Sequence, residues 1–110
     1  MTKENTKIEF DFSLIQKLYS LTGYLQDHTL TRNGYVILDE ITSILAKYLS
    51  EYYYDFENKT RVKLTFVDVE KFFDLMGALS MQSLPRSVFS EIDQIRSLLA
   101  TSISKYYRKE

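Results

Sequence analysis

"RVKLTFVDVEKFFDLMG", Arg61 to Gly77, carries three signals in a row. Val62 and Leu64 alternate with Arg61 and Lys63 at period two, which predicts a short extended piece. Thr65 can then accept a hydrogen bond from a free N–H at the start of a helix. Asp68 falls in that helix's first turn, where a carboxylate meets the positive end of the backbone dipoles. Phe66, Val69, Phe72, Phe73 and Met76 follow at helical spacing, and Gly77 is placed to stop the helix.

Upstream, "RNGYVILDEITSILAKYLSEYYYDFENK" sets Ile37, Leu38, Ile41, Ile44, Leu45, Tyr48, Leu49, Tyr52 and Phe56 at alternating three- and four-residue steps. At ~1.5 Å per residue this stripe runs for nearly 40 Å, more than short neighbouring helices can cover, so it calls for a partner chain. Before it, Asp11 or Ser13 can cap a shorter helix with Leu14, Ile15, Leu18 and Tyr19 on one side, weakening at Thr22 and Gly23. Residues 1–9 read as a flexible polar tail. Downstream, Ser83 or Ser87 can begin a last helix with Phe89, Ile92, Ile95, Leu99, Ile103 and Tyr106 in line, Pro85 being tolerated near its start. No internal repeat and no low-complexity tract stand out. The expected class is all-α, with a domain over residues 10–80 and a C-terminal helical extension over 81–110.

A chain of 110 residues supports one modest core. Its 15 acidic and 14 basic side chains give a net charge of −1, which removes the simplest case for wrapping a polyanion. Without cysteine there is no disulfide framework, thiolate metal site or cysteine nucleophile. "MTKENTKIEF" lacks the apolar run of a signal peptide, and no stretch approaches the ~18 apolar residues of a membrane span. No converging acid–base pair, metal-ligand cluster or phosphate-cradling loop is visible, so neither catalysis nor a cofactor is expected. The single histidine, His28, stands in a polar loop and reads as a surface residue. "EYYYDFE" could suggest a stacking platform for bases, but its acids repel phosphate and its tyrosines adjoin the apolar stripe.

The order short helix, long helix, short extended loop, short helix resembles the histone fold. Within that superfamily "EITSILAKYLSEY" and "DVEKFFDLMG" are similar to the middle and third helices of the bromodomain-associated type, the TATA-binding-protein-associated factors and their SAGA counterparts. The likeness covers roughly residues 12–80; the loop before the long helix fits poorly, and the C-terminal helix lies outside the minimal fold. Carried over, the resemblance implies a clamp between Arg61 and Asp68 that locks the loop to the third helix.

It also implies a dimer interface at Ile41, Ile44, Leu45, Tyr48, Leu49, Tyr52 and Phe73, with another histone-fold protein as partner, heterodimer before homodimer. Neither chain of such a pair is expected to be stable alone, and Leu45→Asp should abolish assembly. The implied function is a non-enzymatic dimerisation subunit of a transcription-related assembly, nuclear in a eukaryote and otherwise cytoplasmic. Two alternatives stand beside it. One is a kinetochore or DNA-repair histone-fold protein touching duplex DNA without sequence preference through Arg32, Lys59 and Lys63. The other is a self-contained monomeric helical adaptor of viral or plasmid origin. The C-terminal helix covers either its own domain or a third subunit.

Overall fold

Lys7–Asp11 (β1) and Arg61–Thr65 (β2) form a two-stranded antiparallel sheet. Each strand leads into a pair of helices, Ser13–Gln26 (α1) and Arg32–Tyr52 (α2) after the first, Phe66–Leu79 (α3) and Arg86–Arg108 (α4) after the second. The computed structural model describes residues 6–28, 30–52 and 61–108.

Alternation along the strands decides which side chains go in. Phe10, Val62 and Leu64 are buried, while Lys7, Glu9, Asp11, Arg61 and Lys63 point outward. Residues 7–9, expected as polar tail, are therefore part of a strand. Five residues with only two apolar ones give too short a pattern to stand out, and β1 forms because β2 offers it a ladder.

Asp11 and Thr65, the equivalent last residues of the two strands, each bond a backbone N–H at the start of the helix that follows, α1 beginning at Ser13 and α3 at Phe66. Asp11 accepts the Ser13 backbone N–H at 3.0 Å, and Thr65 caps α3 by accepting the Asp68 backbone N–H at 3.2 Å. Helix α3 runs two residues past Gly77, to Leu79. No glycine has positive φ, and Gly77 instead makes room for Arg96, whose Nη2 would lie 3.3 Å from an added Cβ.

Contacts run α1 on α2 and α3 on α4 within each half, and α1 on α4 and α2 on α3 between the halves. The core is continuous across them, with Leu18 and Leu21 of α1, Ile41 and Leu45 of α2, Phe72 and Met76 of α3, and Ile92 and Leu99 of α4 all buried. Helix α4 is thus one of four core helices and not an extension of a finished domain. The fold is mostly helical, as expected, with the small sheet added.

The strand register reads the same from either end. Lys7 faces Thr65 as Asp11 faces Arg61, Ile8 faces Leu64 as Phe10 faces Val62, and Glu9 faces Lys63 in the middle. A twofold axis beside that central pair gives this pattern if residue n corresponds to residue n + 54.

The sequence agrees. "KIEFDFSLIQKLYSLTGYL" (7–25) lies over "RVKLTFVDVEKFFDLMGAL" (61–79), and the match continues without a gap to Tyr53 over Tyr107, with 15 of 47 positions identical. Arg32 and Arg86, which begin α2 and α4, are one of those identities. The two halves align as βαα units of the same element order, which corrects the expectation of no repeat. Identity near one in three, with pairs such as Leu14 and Asp68 or Thr22 and Met76 in between, hides it from a search for apolar period alone.

Candidate interaction site

The two halves meet along two helix pairs that the twofold makes equivalent, and the pairs are filled differently. Between α2 and α3, the Tyr48 hydroxyl donates to the Asp68 carboxylate and accepts the Thr65 backbone N–H at 3.1 Å, while Lys47 Nζ reaches Asp68 at 2.6 Å. Burial alone would raise the Asp68 carboxyl, but the bonds from Lys47, Tyr48 and Thr65 more than offset it and hold the group below its ordinary value. The Asp68 bond raises the Lys47 ammonium, and burial followed by the bond to Asp68 raises the Tyr48 hydroxyl.

At the equivalent contact between α1 and α4 the corresponding residues are Thr101 for Lys47, Ser102 for Tyr48, Leu14 for Asp68 and Asp11 for Thr65. This set does not reproduce the bonded cluster, and an open trough of about 730 Å³ runs along α4 beside Lys17 of α1. Arg86, Phe89, Asp93, Ser97 and Leu98 line it. A smaller cavity that also involves Lys17 and Gln94 adds Ser13, Gln16 and Glu91. The side chains of Lys17, Arg86 and Asp93 have no hydrogen bond or ion pair among the described residues.

Lys17, Arg86, Asp93 and Ser97 share a second property. Each is identical to its counterpart in the other half (Lys71, Arg32, Asp39, Ser43), and all eight are exposed. Burial therefore does not account for these identities. Other surface pairs have diverged, such as Ser13 with Val67 and Asp27 with Met81, although Ser50 and Ser104 are also identical and exposed. This signal was present in the sequence but unreadable until the repeat was known.

The expected site residues fall elsewhere. Arg61 and Asp68 do not form the expected clamp: Arg61 points outward by strand alternation and its Nε bonds Glu9 Oε1 at 2.8 Å, while Asp68 is engaged by Lys47 and Tyr48. Ile41, Leu45 and Tyr48 are only 0%, 1% and 3% exposed, in the chain's own core, and Ile44 and Leu49 are partly buried against it. Phe73 is half-buried, with the Arg96 guanidinium 4.7 Å above its ring. Both the Tyr52 side chain and Lys59 lie outside the described residues. Arg32 is exposed at the start of α2, whereas Lys63 lies on the sheet opposite Glu9, beside the Arg61–Glu9 pair, on a surface of mixed sign.

His28 Nδ1 lies 3.0 Å from the Tyr24 carbonyl, and the Tyr35 hydroxyl donates to the His28 carbonyl at 2.9 Å, so the histidine belongs to the α1–α2 turn. Among the described residues no group of three or more histidine or acidic side chains is placed to hold a metal, and no helix is long and apolar enough to cross a membrane. Comparison with protein-family models, curated proteins and solved structures gives no match.

Proposed function

We propose that this chain is a non-enzymatic interaction module that completes its own core and meets its partner through the trough between α1 and α4. The observation that carries the reading is the convergence there of Lys17, Arg86, Asp93 and Ser97, four exposed residues that both halves retain. The titratable groups that do come together at a contact, Lys47, Tyr48 and Asp68, satisfy one another, as groups in a structural joint do. This reading belongs with the self-contained helical adaptor.

The rival is a histone-fold subunit of a transcription-related assembly that pairs through α2. The order of helix lengths from α1 to α3 and the Thr65 cap favour it. Against it stands the burial of Ile41, Leu45 and Tyr48 by the chain itself, since an obligate pair should leave that ridge bare.

Far-UV circular dichroism and sedimentation of the chain expressed alone separate the two. The adaptor remains helical as it is diluted to about 1 µM. A chain that loses its helices on dilution, and regains them with a histone-fold partner, would overturn the adaptor reading.

A further inference from the structure

We propose that this chain is a tandem duplication of one βαα unit, and that folded copies of it associate through the exposed Arg-x6-Asp helix face that both units have retained. The gapless match, and the start of β1 and β2 and of α2 and α4 at equivalent positions, carry the first part.

The second part follows from the charges. On α4, Arg86 and Asp93 stand seven residues apart, two helical turns or about 10 Å at ~1.5 Å per residue, with Ser90 between them on the same trough. Both are exposed, and neither has an ion-pair partner among the described residues. A partner helix suited to this face needs an acid against Arg86, a base against Asp93, and two turns between them.

An antiparallel copy of α4 supplies that set. Arg86 of one chain faces Asp93 of the other and the converse, with the helices crossing near Ser90, whose small side chain allows close approach. Such a contact is isologous, one patch meeting itself across a twofold. Lys17, on the trough's other wall, adds a second cation toward the incoming aspartate.

Helix α2 carries the same arrangement in Arg32 and Asp39. Between them stand Val36, 51% exposed, and Tyr35, 41% exposed, which give that face an apolar centre. A near-neutral, two-signed face also suits a second copy of the chain better than a polyanion, which would meet Asp93 or Asp39 unfavourably. The proposal rests on the reading of the trough as the contact surface of a self-contained fold.

Sedimentation equilibrium of the full chain from micromolar to near-millimolar concentration, at low and at moderate salt, tests it. The expected result is reversible association that weakens with salt. Arg32→Glu with Arg86→Glu should weaken it at least tenfold, and adding Asp39→Arg and Asp93→Arg should restore it to within about threefold. Glutamate is well tolerated at a helix start, and the milder Arg32→Gln with Arg86→Gln should shift association in the same direction by less.

A helical monomer at every concentration would overturn the proposal and leave the adaptor reading standing. Association indifferent to these reversals, or a helical fourfold variant that does not recover, would overturn it equally. Loss of helix on dilution of the natural sequence would remove the adaptor reading, and this proposal with it.

Discussion

The Tyr48 hydroxyl joins Asp68 across the α2–α3 contact, and the same oxygen receives the Thr65 backbone N–H. One atom thereby ties the long helix of the first half to the strand and helix of the second. Tyr48→Phe removes it while keeping the ring in place. The Thr65 N–H and part of the carboxylate lose their partner, which should lower unfolding free energy by about 1–3 kcal/mol in urea titration.

The same joint sets an acid limb. Asp68 is held below its ordinary value, so its stabilising contribution is complete above ~4, the unfolded-state value of an aspartate, and is lost as pH falls through the lower folded-state value. Lys47 and Tyr48 are raised, so theirs is complete below the ordinary values and is lost as pH rises through the higher folded ones, above ~10. Unfolding followed from pH 2 to 6 should be steeper for the natural sequence than for Asp68→Asn, which lacks the titrating group. Equal slopes would remove Asp68 as the source.

Leu45 and Arg61 separate a self-covered core from a paired one. Leu45→Ala, made in the chain alone, should cost about 2–5 kcal/mol because the side chain is already buried there. Arg61→Ala breaks an exposed pair with Glu9 and should cost under about 1 kcal/mol, where an internal clamp to Asp68 would cost more. Urea unfolding of both variants checks the order.

The two equivalent glycines should respond differently. Around Gly23 an added Cβ meets nothing within 4 Å, and the residue is mid-helix with ordinary φ, so Gly23→Ala should raise stability by about 0.5–1 kcal/mol. At Gly77 the Cβ would press on Arg96, which lies over Phe73. Gly77→Ala should therefore gain less than Gly23→Ala in paired melting curves.

Periodicity made the helices legible, and side-chain chemistry marked the Thr65 cap. The covering of α2 is not legible, because its length alone does not reveal that α1 and α3, 14 residues each, flank it together. The resemblance pairs Arg61 with Asp68, although period-two alternation turns Arg61 outward, toward Glu9. The trough is not legible in the sequence, because its lining combines Lys17 with a face of α4 far along the chain, and only the correspondence of the two halves marks these residues as the ones retained.

The symmetric pairing of β1 with β2 also makes the sequence of the two units along the chain immaterial to their neighbours in space. A rearranged gene encoding the second unit ahead of the first, joined by a connection of similar reach, should yield the same four-helix body with its ends relocated to the present junction.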